Sequence, residues 1–269
     1  MKRFLMIFAA AAALCACQPK AKLVIIHTND THSHLEPMRT GNYVGHGGVI
    51  ERAAFIDSVR NKRGEDKVLL VHAGDFVQGT SYYTVLEGEI EINLINDLRY
   101  DVITLGNHEF DNGLEALAGM MKRLETAKVV CSNLDLIPFE VGEYVKPYAV
   151  VERGGLRIGF VGLASDLLHN VSRTISSRIQ QLDDVESVNR WTAYLREEEK
   201  VDMVILLSHA GYDNDQKIIP STHGVDLVIG GHSHTYVDDF IYVEDADNKK
   251  VPITQDGGWG LELGEIEVR

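Results

Sequence analysis

Asp, Asn and His recur along this chain in short clusters, each just after an apolar run. They read Asp30-Thr31-His32, Gly74-Asp75, Gly106-Asn107-His108-Glu109, Ser208-His209 and Gly231-His232-Ser233-His234, with Asp111 just past the third. Carboxylate oxygens, an amide carbonyl and imidazole nitrogens are the donors that divalent transition ions take. Spread over separate strand ends, they are the set a two-metal phosphoesterase needs.

Each cluster has a plainer reading taken alone. An Asp-x-His pair on a loop can chelate one ion, yet it also recurs as ordinary structure. Gly74 allows close backbone approach and Asp75 has two oxygens to bridge a pair of cations, although a lone Gly-Asp reads as a turn. The run Gly106 to Asp111 is the most specific. Asn107 offers a neutral oxygen, His108 an imidazole for the reacting phosphoryl group, and Asp111 a carboxylate to orient and charge that ring. Glu109 reads as structural. His209 ends the most apolar run, where a lone His is ordinarily a hydrogen-bonded core residue. Gly230 and Gly231 lead into two imidazoles, His232 and His234, two residues apart. His27 and His72 read as supporting or packing residues, and His34 as a candidate substrate contact. His46, His169 and His223 read as surface positions, and Asp213, Asp215, Asp238 and Asp239 as solvated loop carboxylates.

The elements that must position these residues are strands. Apolar runs at 23–28, 68–71, 102–104, 128–130, 158–163, 201–207 and 227–229 are mostly continuous, as in strands covered on both faces. Helical periodicity falls between them at 48–62, 91–98, 114–124 and 185–199. Residues 148–157 read as a hairpin turning at Gly154-Gly155, and 240–243, 251–253 and 261–268 as antiparallel strands. Alternating strands and helices give an α/β layered domain with a second or mixed sheet. Ligands of open α/β sheets bind at the carboxyl ends of strands, where Asp30, Asp75, Asn107, His209 and His232 fall.

The chain has 269 residues, 45% of them apolar and 25% charged, so it can bury a real core. Lys2 and Arg3 precede an apolar run at 4–14, and Leu14-Cys15-Ala16-Cys17 follows. This is a signal-peptide pattern, too short for a comfortable membrane span, and its end resembles a bacterial lipobox. The expectation is a signal peptide at 1–16, a lipid anchor on Cys17, a tether at 17–22, and a catalytic domain at 23–269. The protein would then be an exported bacterial lipoprotein, membrane-anchored in the periplasm or at the cell surface. An ordinary secretory signal cleaved elsewhere, or a mere apolar terminus, is the alternative. Cys131 alone would remain as a thiol, buried and structural, with no intrachain disulfide. Removing Lys2 and Arg3 leaves 24 basic against 40 acidic side chains, a balance of −16. A field of that sign repels duplex nucleic acid and leaves small phosphorylated molecules held by metal ions.

At the level of whole motifs the chain resembles the calcineurin-like metallophosphoesterases, and within them the 5′-nucleotidase branch. Residues 23–35 (LVIIHTNDTHSHL), 72–80 (HAGDFVQGT) and 100–111, ending LGNHEFD, carry the likeness, which extends over about 23–269. The resemblance implies a four-layer α/β/β/α sandwich of the metallophosphoesterase type. It implies two ions, the first held by Asp30, His32, Asp75 and His234 and the second by Asp75, Asn107, His209 and His232, with His108 and Asp111 as the catalytic dyad. Mixed nitrogen and oxygen donors point to two divalent ions among Mn, Zn, Fe and Co rather than Ca.

Full-length members of this branch carry a second, C-terminal domain that clamps the nucleobase. The sequence ends at Arg269, just after 261–268, which resembles the last strand of the catalytic domain. Three readings stay open. The first is a stand-alone hydrolase of nucleotides or related esters, 2′,3′-cyclic ones among them. The second is a catalytic subunit whose base-binding half is a separate C-terminal-type nucleotidase polypeptide. The third is a metal-loaded binding lipoprotein without enzymatic activity.

Overall fold

The computed structural model describes residues 22–269. The expected signal peptide, the acylated Cys17 and most of the tether lie outside the described residues. Strands are numbered in chain order: β1 Leu23–Thr28, β2 Val68–His72, β3 Val102–Thr104, β4 Lys128–Val130, β5 Leu134–Asp135, β6 Val145–Lys146, β7 Tyr148–Arg153, β8 Leu156–Leu163, β9 Gln180–Gln181, β10 Met203–Ser208, β11 Leu227–Ile229, β12 Ile241–Glu244, β13 Lys250–Thr254 and β14 Gly264–Val268. The helices are α1 Val49–Arg63, α2 Ser81–Leu86, α3 Glu89–Asp97, α4 Gly113–Met121, α5 Leu167–Asn170, α6 Arg173–Ser176, α7 Asp184–Glu197 and α8 Tyr212–Ile218.

Two six-stranded sheets stack face to face. The first runs β14-β1-β2-β3-β4-β6 and the second β12-β13-β11-β10-β8-β7. In the first, β1, β2, β3 and β4 are mutually parallel, and β14 closes the edge antiparallel to β1. In the second, β8, β10, β11 and β13 are parallel, with β7 and β12 antiparallel at the edges. The alternation along β1 shows the layering. Leu23 and Ile25 face the space between the sheets with Phe160, Ile205 and Leu207. Val24 and Ile26 face outward onto Ile56 of α1, Ile92 of α3 and Leu117 of α4. On the far side Val204 and Leu206 pack against Val188 and Leu195 of α7. The layers are therefore α/β/β/α, as the resemblance implied.

The hairpin at 148–157 forms as expected, with Gly154 and Gly155 both left-handed between β7 and β8. That is the two-residue turn whose twist matches paired strands. All three C-terminal strands have an antiparallel neighbour as expected, β12 with β13 and β14 with β1, while β13 also lies parallel to β11 on its other side. Among the described residues no helix is long and apolar enough to cross a membrane.

Candidate metal centre

The parallel registers put the carboxyl ends of β1, β2 and β3 beside those of β10 and β11. Asp30 follows β1, Asp75 follows β2 and Asn107 follows β3, while His209 follows β10, and His232 and His234 follow β11. The loops are tied across the sheet. Asp30 N–H donates to Gly74 O at 3.0 Å and His32 N–H to Asp75 O at 3.0 Å. The two sheets are joined by His232 N–H, which donates to both Asp30 carboxylate oxygens at 2.9 and 3.1 Å.

Six of the seven expected ligands fall into two clusters. One ligand-capable atom from each of Asp30, His32 and His234 lies within 4.8 Å of the others, and the same holds for Asp75, His209 and His232. Between the two groups, His32 Nε2 is 3.9 Å from Asp75 Oδ2. His209 Nε2 lies 3.0 Å from the same Asp75 oxygen and 3.8 Å from Asp30 Oδ1. Asp75 thus stands between the two clusters. His108 also falls in reach, since it forms a third such group with His32 and Asp75. Asn107 is buried, and its Oδ1 accepts from Ser165 Oγ at 3.4 Å.

The donor atoms fit cations. His209 Nδ1–H donates to Ala73 O at 2.6 Å, so Nε2 of the neutral ring is a bare lone pair, and it has no hydrogen-bond partner. It nonetheless faces a carboxylate oxygen at 3.0 Å. Two acceptors held that close call for positive charge between them. Without an ion His209 itself must supply it. Burial would lower its pKa, but Asp75 and Asp30 outweigh burial and raise it to about 10. Asp30 is pushed up to about 7 by burial against the pull of His209. Asp75 is held below its ordinary value, because burial, which would raise it, is outweighed by His209. His32 and His232 are lowered to about 4, chiefly by burial, so both present neutral, ligating rings.

Backbone conformation marks the same residues. Asp30, His32, Asp75, His232 and His234 all have φ between 45° and 74°. That left-handed region disfavours residues with a Cβ, and such strain collects at functional sites. Glycine serves the complementary purpose at Gly106 and Gly231. A Cβ at Gly106 would strike the Asp75 carboxylate, and one at Gly231 would strike Ala73 O and the His209 ring.

His108 and Asp111 are paired, Nδ1 to Oδ2 at 2.8 Å, and both are partly open to solvent. The bond to Asp111 raises the His108 pKa, which favours a charged ring at the mouth. Glu109 faces the other way and is fully buried. Its two oxygens accept from the backbone N–H groups of Asp75 at 3.0 Å, Phe76 at 2.9 Å and Gly106 at 2.6 Å. It therefore staples the β2 loop to the β3 loop, a concrete form of the structural part expected of it. Burial, then Asp75, raises its pKa to about 7.

Other positions differ from the sequence reading or were not singled out by it. Asp215 is not a solvated loop carboxylate. It is fully buried in α8 and accepts from Ser208 Oγ at 2.5 Å, next to His209. Gln255, at the end of β13, accepts from Ser233 Oγ at 2.8 Å and Thr235 N–H at 2.7 Å, and so brackets His234. Position alone, at the carboxyl end of an expected strand, was the available signal for it. His27 pairs with Asp256 at 2.7 Å and His72 with Thr31 Oγ1 at 3.0 Å, as supporting residues. Cys131 is buried, and burial pushes its thiol up to about 12. A cavity of about 630 Å³ lined by Lys128, Tyr144, Lys146 and Tyr148 contains none of the expected ligands, so donor chemistry rather than volume locates this centre.

The sequence matches the model of the calcineurin-like phosphoesterases over residues 23–236. It is 36% identical to a probable 5′-nucleotidase of Treponema pallidum over 228 residues, 81% of this chain and 37% of that protein. It is 31% identical to the snake venom 5′-nucleotidase of Crotalus adamanteus over 285 residues, 96% of this chain and 47% of that one. The structure superposes on a 5′-nucleotidase precursor from Thermus thermophilus with a TM-score of 0.82 and 34% identity, covering 90% of this chain and 50% of that one. The chain spans half or less of the length of these relatives.

Proposed function

The chain belongs to the calcineurin-like phosphoesterase family, and from that premise we propose that it is a two-metal hydrolase of nucleotides or related small phosphate esters. The observation that carries this reading is His209 Nε2 held 3.0 Å from Asp75 Oδ2 while Nδ1 is engaged by Ala73 O. The Asp30, His32 and His234 cluster on one side and His232 on the other extend it. In this reading Asp30, His32, Asp75 and His234 hold one divalent ion, and Asp75, Asn107, His209 and His232 the other. Two such ions, when bound, supply Lewis-acid charge that acidifies a coordinated water and neutralises phosphoryl oxygens. The chain's own residues do the rest. Asp75 would supply negative charge to both ions, Ser165 orients the Asn107 carbonyl, and Asp111 keeps a proton on His108. His108 then donates to the developing charge on a phosphoryl or leaving oxygen.

Chelator-treated protein reloaded with Mn²⁺, Zn²⁺, Fe²⁺ or Co²⁺ and assayed on p-nitrophenyl phosphate, AMP and 2′,3′-cyclic AMP tests the proposal. Metal-dependent turnover of at least one ester is expected. Two bound equivalents with no turnover of any of them would return the chain to the non-enzymatic reading. The domain bounds are part of the proposal, with a signal at 1–16, an acylated Cys17, and 23–269 catalytic. Cys17→Ser should move the protein from the membrane fraction to the soluble one, and retention in the membrane sinks the anchor.

A further inference from the structure

The residues from 257 to 260 read Gly-Gly-Trp-Gly. Trp259 has a φ of 62°, a conformation that its glycine neighbours Gly257 and Gly260 take without strain and a bulky residue takes rarely. The turn is held firmly in that shape. Trp259 N–H donates to Asp30 O at 2.6 Å, tying it to the backbone of a metal-ligand candidate. A Cβ at Gly258 would press on the His234 ring, and one at Gly260 would strike the guanidinium of Arg52. Arg52 is itself buried and donates from Nη2 to His34 O at 3.1 Å. One buried cation therefore holds the His34 loop and packs against the Trp259 turn. The indole so placed is 37% exposed. It stands edge-on to His234 at 5.7 Å and tilted by 39° toward His34 at 5.9 Å.

A strained tryptophan fixed beside a polar centre, touching the His34 and His234 rings yet still partly bare, offers apolar ring surface to a molecule from solvent. We propose that Trp259, with His34, is the wall that receives the organic part of the ester, and that it favours leaving groups bearing a planar ring, an aryl or a nucleoside, over aliphatic ones. Trp259 is a specificity residue in this scheme, and its catalytic use rests on the hydrolase reading above. Stacking of one ring on an indole is worth about tenfold in affinity or more.

The test uses the fact that Trp191 and Trp259 are the two tryptophans of the chain. Trp191 sits on α7 against Tyr148 and Tyr194, so Trp191→Phe leaves Trp259 as sole reporter. Adenosine, which carries no phosphate, should quench its fluorescence saturably, and ribose should not. Trp259→Leu with Trp191 intact should show no adenosine response. In the metal-loaded enzyme Trp259→Leu should lower the kcat/KM ratio of p-nitrophenyl phosphate to glycerol phosphate about tenfold at unchanged metal content, and Trp259→Phe should restore it. Absence of quenching together with an unchanged ratio overturns the wall while leaving the hydrolase reading intact. Quenching without hydrolysis of either ester keeps the wall and sinks the hydrolase reading.

Discussion

The two sheets contribute unequal halves to the centre. The first supplies the oxygen donors, Asp30, Asp75 and Asn107, together with His32, and all four are buried. Glu109 locks its loops from beneath through backbone N–H groups. The second supplies only imidazoles. His209 is fully buried, but His232 and His234 lie on a loop that opens to solvent, and the His234 side chain is 34% exposed. That loop is held by Gln255 and by the Asp30 carboxylate. Carboxylates are thus built into a buried floor, whereas the wall is made of imidazoles alone, two of them on a more exposed loop. Burying two carboxylates is tolerable only where compensating charge arrives, so the floor has to be the better braced half.

The largest expected effect is in the floor. Asp75→Asn removes the charge between the two clusters and should lower kcat at least ~100-fold with loss of bound metal, read by steady-state kinetics and metal analysis. His108→Asn should also cost ~100-fold or more in kcat, but with metal content unchanged, because it acts on charge at the mouth; wild-type turnover in this variant would remove the dyad. On the wall, His234→Ala should weaken metal affinity more than ~10-fold, with turnover recovered by excess Mn²⁺. If excess metal rescues Asp75→Asn equally well, floor and wall are not different in kind. Glu109→Gln turns an acceptor oxygen into a donor facing backbone N–H groups. It should cost about 2 kcal/mol of stability, a fall of roughly 4–8 °C in Tm, measured by calorimetry. Smallest of all, Gln255→Ala should loosen the wall loop and weaken metal affinity by up to ~10-fold without changing Tm appreciably.

Periodicity located the strands and longer helices because their signal is local and repeated. Helix α1 was expected at 48–62 and spans Val49–Arg63, and α7 was expected at 185–199 and spans Asp184–Glu197. Helix α2, six residues capped by Thr80, and α5, four residues capped by Asp166, show too little repeat to be read and form through their caps and packing. The strand pair β5–β9 joins residues more than forty apart, which local pattern cannot register. In the centre, types and spacing drew attention to the clusters, and the family resemblance named the seven ligand candidates among them and the His108–Asp111 pair. Glu109 looked structural without a partner, Asp215 looked solvated, and Trp259 carried no charge to draw notice.

The sequence by itself determined which atoms are available: imidazoles, carboxylates and an amide, each after an apolar strand whose carboxyl end had to lie on one edge. Only the tertiary structure decided how they meet. It turned Asp30, His32, Asp75, His232 and His234 into left-handed geometry. It aimed His209 Nε2 at Asp75 by engaging Nδ1 with Ala73, and it left Trp259 partly bare beside them. Donor identity is a property of single residues, whereas the charge a buried site must attract depends on how closely distant segments are packed.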